Sequence, residues 1–583
     1  MEAQSDGGDN VLFAQLSEVQ EAYEFEESSG SALSQVKGSL RRHVEFWRSI
    51  GAPRYILSVI CEGYRLPFQQ TPAGFTFRNN RSALDHSEFV NEAILELLHS
   101  GRVMELNSPP DVVNPLSVSI QPNGKKRLIL DLRYINNYLI KRRVKCEDCK
   151  IALSYFQKGS FMTTVDLKSG YHHIEIHPDH LRFLGFAWKF PGEASIRYFV
   201  FTVHPFALSS APYISTKCLK PLEKYWRFNG VNTALFLDDG WLIHSDRDTY
   251  AVLATNIWSD LRKSGFITND EKSQCCPSQV LEWLGIIWNT INGTITIFER
   301  RESSIAKSVD KILLSDRLVS AWELASLVGR IISGGAVFGN ISRLMTRYCS
   351  ISVASALEWD SKFYLDQYCV RERYFWESNL KRLNRRVVAD SPYRMSNYVI
   401  YSDASATGCG AHLDINGEQV CNKQWDLEER RKSPTWRELS TILFTLHSFL
   451  PLLIGSSVKW FSDSVCKIIQ VGSMRSNLHA IALEIFQFCA NNGIELEVHW
   501  IPRTEIERAD YISRISDLDD WQISADCFMS LEESWGFIQW IVLLVIIIRR
   551  LASFFLDFGT QVVAGWIFSC KVWKAKIALL SLL

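Results

Sequence analysis

The chain has 583 residues, of which 47% are hydrophobic and 22% are charged. This composition excludes a wholly disordered or collagen-like protein, and the length predicts about three to four globular domains. The formal net charge of −1 excludes a protein that is basic throughout, so contact with nucleic acid must depend on local clusters of positive charge. The 14 cysteines are scattered and follow no secretory signal, which predicts reduced thiols in an intracellular protein of the cytoplasm, the nucleus or both.

The first part of the chain changes from polar to apolar. Residues 1–35 are rich in Glu, Ser, Gly and Gln, a composition that predicts disorder. Residues 36–105 are predicted to form a helical segment, because Ser87 to Ser100 places apolar side chains on one helical face. A basic cluster follows, and it predicts a surface that follows a phosphate backbone, with an ordinary solvated face as the alternative. Its residues are Lys125, Lys126, Arg127, Arg133, Lys141, Arg142, Arg143, Lys145 and Lys150.

A zinc site is the other chemistry that this region suggests. Cys146 and Cys149 have the spacing of half a four-ligand site. The site would need a second pair at a regular spacing, and the adjacent Cys275 and Cys276 do not provide one. The sequence therefore predicts no structural zinc.

Carboxylates stand at the ends of predicted strands. Asp166 ends the apolar run 161–166, and Asp238 and Asp239 lie side by side between the apolar runs 234–237 and 240–243. The second pattern predicts two strands joined by an acidic turn. Adjacent carboxylates repel each other unless a cation holds them. Such a set suits a two-metal phosphoryl-transfer site, while a solvated hairpin tip is the simpler alternative.

The segments around these carboxylates resemble, in order and spacing, the motifs of reverse transcriptases over roughly residues 105–290. The matching segments are 125–136, 166–171, 204–212, 236–239, 261–265, 272–273 and 281–285. The resemblance implies an α+β multidomain protein with a right-hand polymerase. Fingers and palm would occupy residues 106–300. A thumb and connection would occupy residues 301–396, where Leu324, Leu327, Val328 and Ile331 have helical spacing.

The same resemblance implies the chemistry of the site. Asp166, Asp238 and Asp239 would be catalytic and would bind two Mg²⁺ ions, for which Mn²⁺ is an alternative. The primer 3′ oxygen would attack the α-phosphorus of the incoming deoxynucleotide and displace pyrophosphate. The partners would be an RNA template, a DNA primer, the RNA–DNA hybrid and deoxynucleoside triphosphates.

Five further residues would bind the nucleotide. Tyr171 falls on the position of the family's steric gate, which excludes a 2′-hydroxyl, and Phe206 would line the pocket under the base. Arg127, and less directly Lys125, would hold the triphosphate by charge-assisted hydrogen bonds. Lys272 would lie near the leaving pyrophosphate. An ordinary core Tyr and a solvated surface Lys are the alternatives for Tyr171 and Lys272.

A second acidic set follows the thumb. Asp403 and Asp463 end predicted strands, while Glu438 and Asp510 begin predicted helical segments. Each alone is an ordinary cap or strand-end residue, but together they suit a second two-metal site. Residues 397–515 resemble ribonuclease H, an α/β domain, and the four carboxylates fall on its catalytic, metal-binding positions.

The order of these domains, and the amino-acid sequences of residues 328–333, 500–503 and 509–514, resemble those of DIRS-type retrotransposon polyproteins. This resemblance implies an RNA-directed DNA polymerase of a retrotransposon with ribonuclease H activity, and a separately encoded tyrosine recombinase as partner. Three positions depart from the families' common residues: Phe236 replaces Tyr, Ala207 replaces Gly, and Ser464 replaces Asn. The alternative function is a decayed or domesticated copy that binds nucleic acid without catalysis.

The tail, residues 516–583, fits neither domain. Its apolar run is interrupted by Arg549 and Arg550, which is costly within a membrane span. Codons permitted for residues 538–545 also encode Thr-Val-Asp-Arg-Phe-Ala-Ser in a neighbouring frame, a sequence that resembles how DIRS-type polymerases continue. We interpret the residues after about 537 as a frame-shifted translation. The alternative is that the tail is a membrane anchor. A membrane-tethered protein is therefore the second alternative function, but we expect no membrane partner.

Overall fold

The computed structural model describes residues 36–121, 124–314, 318–388, 396–414, 419–515 and 533. The predicted disordered N-terminus lies outside the described residues, as does the tail, residues 516–583, apart from Glu533; the interpretation of the residues after about 537 as frame-shifted therefore falls on residues outside the described ranges. Helices and sheets alternate through the described ranges, which confirms the predicted α+β class. Among these described parts of the chain, every helix is too short or too polar to span a bilayer.

The N-terminal segment is mainly helical, as predicted, and the helix expected from Ser87 ends at His99. Its elements are α1 (Ser39–Arg42), α2 (Val44–Ser49), α3 (Arg54–Glu62), β1 (Phe75–Thr76), α4 (Arg81–Asp85), α5 (Ser87–His99) and β2 (Val103–Leu106). The buried side chains of these helices belong to one hydrophobic core with residues as distant as Phe266. Among the described residues, the segment therefore shares its core with the region that follows it.

The region predicted to form fingers and palm follows as a mixture of helices and mainly antiparallel strands. Its elements are β3 (Val112–Val113), β4 (Leu116–Ile120), β5 (Lys126–Leu130), α6 (Arg133–Asn136), α7 (Cys149–Tyr155), β6 (Phe161–Asp166), β7 (Gly185–Trp188), β8 (Arg197–Phe201), α8 (Ala211–Phe228), β9 (Asn232–Phe236), β10 (Asp239–His244), α9 (Arg247–Ser264), β11 (Gln274–Ser278), β12 (Val280–Trp283), β13 (Ile286–Asn289) and β14 (Thr294–Ile297).

The central sheet of this region has the strand order β11-β6-β10-β9 and lies between two hydrophobic cores. Successive side chains of a strand point to opposite faces. Val165 and Leu242 accordingly pack into the first core, while Met162 and Trp241 pack into the second. Both faces are buried, so β6, β9 and β10 carry no Asp, Glu, Lys or Arg apart from Asp166 and Asp239 at one end of the sheet.

The region after β14 is largely helical, as predicted. Its elements are α10 (Glu299–Leu313), β15 (Leu318–Ser320), α11 (Ala321–Ser333), α12 (Gly335–Phe338), α13 (Ile341–Leu344), α14 (Arg347–Ser355), β16 (Lys362–Tyr364), α15 (Gln367–Leu383) and β17 (Arg386–Val387). A reciprocal capping box between Ser320 and Glu323 begins α11. The side chains predicted from helical spacing in α11 are all buried in the second core, which confirms that pattern.

The last described region is a five-stranded α/β unit. Its elements are β18 (Tyr398–Ala404), β19 (Gly408–Asp414), β20 (Gln419–Gln424), α16 (Leu427–Arg431), α17 (Pro434–Ser448), α18 (Leu450–Leu453), β21 (Ser457–Ser462), α19 (Cys466–Val471), α20 (Ser476–Asn491), β22 (Glu495–Trp500) and α21 (Glu507–Ser513). The strand order is β20-β19-β18-β21-β22, and β18, β21 and β22 are parallel. Helix α21 lies against β19 because Gly410 leaves room: a Cβ there would lie 2.4 Å from the Ser513 nitrogen.

Candidate active sites

The three palm carboxylates meet at one end of the central sheet. Asp239, the first residue of β10, is paired across the strands with Asp166, the last residue of β6. Asp238 lies in the two-residue turn between β9 and β10. Leu237, the other turn residue, has a φ of 59°, a left-handed conformation that a branched side chain rarely adopts. The strained turn fixes where the Asp238 carboxylate lies relative to the other two.

Burial and the charges of neighbouring carboxylates raise the pKa values of Asp238 and Asp239. Burial is the largest cause for Asp239, and the charges of Asp166 and Asp238 add to it, so that its pKa rises to about 7. Asp238 is exposed, yet partial desolvation by the surrounding protein and the charge of Asp166 raise its pKa. The Lys272 ammonium lies 3.7 Å from Asp166 Oδ1 and acts in the opposite direction. The Trp283 indole also lowers the pKa of Asp239, a role that the sequence did not indicate.

The space for Asp238 depends on Gly170, a glycine that is distant in the chain but packed against Asp238 in the fold. A Cβ on Gly170 would lie 2.8 Å from the Asp238 Cβ, closer than real Cβ atoms approach. We expect Gly170→Ala to displace Asp238 and to slow primer extension by about 100-fold, the cost of a displacement of about 1 Å at a reacting centre. Steady-state extension kinetics would measure this loss.

Gly329→Ala is the matched control for that substitution. Gly329 lies inside α11, and a Cβ there would have no neighbour within 4 Å. We expect the alanine to leave extension unchanged and to raise the free energy of unfolding by up to about 1 kcal/mol, because alanine is the better helix former. Wild-type extension by the Gly170→Ala protein would contradict the assigned crowding around Asp238.

Two of the predicted nucleotide-binding residues lie beside the carboxylates. The rings of Tyr171 and Phe206 meet edge to face with their centroids 5.6 Å apart. Phe206 is 48% exposed, so its ring is open to a ligand. Burial and the charge of Asp238 raise the pKa of Tyr171. The structure therefore brings the predicted gate and the predicted pocket residue to the same side of the site.

The fingers residues lie on a different sheet. Lys125 and Arg127 are exposed on or beside the hairpin of β4 and β5, which forms a two-stranded sheet of its own. The fingers contact the pocket through Asn136, which donates to the Ala207 carbonyl at 2.9 Å and accepts the Ser209 N–H at 2.9 Å. Asn136 belongs to a recognised segment, but the sequence did not indicate this role. Ala207 has a φ of 75°, which is the physical reason why glycine is common at this position.

The second set of carboxylates is more compact. Among the described residues, Asp403, Glu438 and Asp463 are the one group of three potential ligands whose nearest ligand atoms all lie within 4.8 Å of one another. Asp403 lies near the end of β18, and Asp463 directly follows β21, the parallel neighbour of β18. Glu438 comes from the first turns of α17, which begins with the Ser433 cap. Two strand ends and a helix start therefore converge, as the sequence predicted.

The electrostatics of this cluster suit a bound cation. Burial is the largest cause that raises the pKa of Glu438 to about 9, and the charges of Asp403 and Asp463 follow. Burial also raises the pKa of Asp403 to about 6. Glu438 Oε1 accepts the Ala404 N–H at 3.3 Å, but the buried Oε2 has no hydrogen-bond partner. An unpartnered carboxylate oxygen facing two other carboxylates fits a divalent metal ion.

Asp510 lies beside this cluster rather than within it. Its carboxylate accepts hydrogen bonds from Arg514, at 3.0 and 2.8 Å, and from Arg503 at 2.8 Å. The Arg514 hydrogen bonds are the main cause that lowers its pKa to about 2. Its charge still raises the pKa of Asp403. Both arginines belong to segments quoted for the DIRS resemblance, but the sequence did not indicate that they neutralise Asp510.

Comparison with known proteins gives a family match over the part of the chain that contains the first set of carboxylates. Residues 119–288 match the family "Reverse transcriptase (RNA-dependent DNA polymerase)". Residues 119–288 therefore carry a reverse transcriptase domain, and the polymerase part of the predicted fold is confirmed.

Several relatives are polyproteins that are much longer than this chain. It is 25% identical over 388 residues to the Pol polyprotein from transposon gypsy of Drosophila melanogaster, which covers 65% of this chain and 36% of the relative. It is 25% identical over 190 residues to the Pro-Pol polyprotein of simian foamy virus type 1, which covers 33% of this chain and 15% of the relative. The chain thus spans about a third or less of the length of these relatives.

The solved structures it resembles include a foamy viral protease-reverse transcriptase in complex with RNA/DNA hybrid, with a TM-score of 0.45 and 14% identity. The match covers 82% of this chain and 65% of that one. The same enzyme with double-stranded DNA gives a TM-score of 0.46 and 15% identity, covering 79% of this chain and 97% of that one.

Proposed function

We propose that the protein is an RNA-directed DNA polymerase of a DIRS-type retrotransposon and that residues 397–515 are a ribonuclease H domain. The observation that carries the proposal is the convergence of Asp166, Asp238 and Asp239 at one sheet end within the matched reverse transcriptase region. The compact cluster of Asp403, Glu438 and Asp463 supports the second activity.

In the polymerase site, each residue acts on a stated part of the reaction. The primer 3′ oxygen forms a bond to the α-phosphorus of the deoxynucleotide, and the bond to pyrophosphate breaks. Mg²⁺, held by Asp166, Asp238 and Asp239, would activate the attacking oxygen and stabilise the leaving one. Lys272, whose ammonium lies beside the Asp166 carboxylate, would interact with the leaving pyrophosphate, and Arg127 with Lys125 would hold the triphosphate from the fingers.

The pocket beside these residues selects the sugar. The Tyr171 ring would occupy the space that a 2′-hydroxyl needs, and Phe206 would contact the base. RNA template and DNA primer would follow the basic surface of the fingers. We also propose a separately encoded tyrosine recombinase as a partner. This part of the proposal rests on the DIRS resemblance alone.

In the second site, the chain would cleave the RNA strand of an RNA–DNA hybrid. Asp403, Glu438 and Asp463 would hold Mg²⁺, which supplies an activated water. Asp510 would complete the acidic set from α21, with Arg503 and Arg514 orienting it. Removal of copied RNA by the enzyme that copies it gives both carboxylate sets a use in one chain.

The test uses the full chain in two assays. Primer extension on an RNA template measures the first activity, and cleavage of a labelled RNA strand in a hybrid measures the second. We expect both activities to need Mg²⁺ and to stop with chelator. Template binding without either activity would instead support the alternative of a domesticated nucleic-acid-binding copy, and activity only in a membrane fraction would support the membrane-tethered reading.

A further inference from the structure

We propose that Trp47, in the N-terminal segment, is a positioning residue of the polymerase site that acts through the α9–β11 loop, residues 265–273. The proposal rests on the polymerase function proposed above. Trp47 lies outside the residues that match the reverse transcriptase family, and 217 positions separate it from the residue whose carbonyl it contacts.

The first step is the contact between α2 and the end of α9. The Trp47 side chain is fully buried, and its indole N–H donates to the Ser264 carbonyl at 2.8 Å. Its ring lies edge to face with Phe266 at a centroid distance of 5.9 Å. Gly265 between them has a φ of 84°, and a Cβ there would lie 2.5 Å from the Ser39 oxygen. The N-terminal helices therefore pack directly against the start of the loop.

The second step is that the loop also contacts the segment that follows Asp166 in the chain. The Phe266 ring lies 5.0 Å from the ring of His173. His173 Nε2 accepts the Ile267 N–H at 3.0 Å, so Nδ1 carries the proton and lies 3.3 Å from the Gly170 carbonyl oxygen. Gly170 is the residue packed against Asp238. The buried His173 imidazole thus links the loop to Gly170, which packs against Asp238 in the turn between β9 and β10.

The third step reaches Asp166 itself. The Asn269 N–H donates to the Asp166 carbonyl at 2.7 Å, and the Asp166 N–H donates to Ser273 Oγ at 3.0 Å. The same loop carries Lys272, whose ammonium faces the Asp166 carboxylate. Because the loop binds both the backbone N–H and the backbone carbonyl of Asp166, a shift of the loop moves Asp166 and Lys272 together.

A buried tryptophan also stabilises any core, so the test needs a matched control. Trp376 is 1% exposed and donates its indole N–H to the Met345 carbonyl at 2.7 Å. It lies in the second core, in α15. Replacing either tryptophan by phenylalanine removes one buried N–H donor and part of one ring. The two variants therefore cost similar packing, and only Trp47→Phe disturbs the loop.

The experiment compares Trp47→Phe and Trp376→Phe in the full chain. We expect Trp47→Phe to lower kcat for primer extension by about tenfold or more, with little change in KM for template-primer or in hybrid cleavage. We expect Trp376→Phe to change none of them. In a double-mutant cycle, Trp47→Phe and Lys272→Ala should be non-additive, because both act on the surroundings of Asp166.

Amide hydrogen exchange makes the proposal independent of activity. We expect Trp47→Phe to speed exchange at Ile267 and Asn269 by about fivefold, and Trp376→Phe to leave both unchanged. Unchanged exchange there, or equal effects of the two variants on extension, would overturn the positioning role. Lack of extension by the wild-type chain would instead refute the polymerase function, and the exchange rates would still decide the role of Trp47.

Discussion

Asp238→Asn is expected to lower primer extension by about 1000-fold or more while hybrid cleavage continues. Asparagine keeps the size of the side chain in the strained turn after Leu237 but removes the charge. Several kcal/mol of transition-state stabilisation depend on metal held by charge at such a site, and each 1.4 kcal/mol is about a factor of ten. The substitution also removes a like charge beside Asp166, so the fold should lose no stability.

The measurement is single-turnover extension at saturating nucleotide, with template binding followed separately. Binding should stay close to wild type, because it depends on the basic fingers. Asp260→Asn is the control: Asp260 is another palm carboxylate whose pKa is raised by desolvation, and it accepts the Trp226 indole N–H at 3.1 Å. We expect wild-type extension from that variant. Extension at the wild-type rate by the Asp238→Asn protein would refute the polymerase assignment.

The sequence predicted the acidic ends of the palm strands because their signal is local. An apolar run that stops at a carboxylate predicts a buried strand with a polar end, and β6 ends at Asp166 as that pattern indicates. The same reasoning predicted the helical face of α11. What no local pattern contains is the strand register. The pairing of Asp166 with Asp239 joins residues far apart in the chain.

The supporting residues could not be predicted for the same physical reason. The space taken by Asp238 makes Gly170 necessary, yet an isolated glycine in a sequence indicates only a turn. Asn136, Trp283 and Trp47 act through contacts that depend on how distant elements pack. Asp510 is the clearest case: the sequence grouped it with three other carboxylates, and the structure shows two arginines bound to it.

Glu438→Gln should abolish hybrid cleavage, by about 1000-fold or more, and at the same time stabilise the metal-free protein. The loss of cleavage follows from the loss of a charged ligand in the compact cluster. The gain in stability follows from the surroundings of Glu438, which is 7% exposed beside Asp403 and Asp463. In the metal-free protein this carboxyl must either stay charged beside two neighbours or keep a proton well above its ordinary pKa, and a neutral amide removes that cost.

The pH dependence of stability tests this reasoning with a definite sign. The pKa of Glu438 is about 9 in the folded chain and 4.5 as its ordinary value. The folded protein therefore binds the proton more tightly than the unfolded chain does, so its stability falls as pH rises through this range. From this shift we expect the metal-free wild type to lose on the order of 5 kcal/mol between about pH 5 and pH 9. Glu438→Gln should flatten this slope, and Mg²⁺ should remove most of it from the wild type.

Glu372→Gln is the control that distinguishes a buried metal ligand from a buried carboxylate with a structural role. Glu372 is also buried, and its pKa is raised to about 7 by burial. Its two oxygens, however, accept the N–H groups of Tyr348 and Cys349 at 2.9 Å each. A glutamine there turns an amide donor towards an N–H group, so thermal unfolding should show destabilisation by about 1–3 kcal/mol. If Glu438→Gln destabilised the metal-free protein as Glu372→Gln does, Glu438 would be a satisfied structural residue, and the second active site would lose its central ligand.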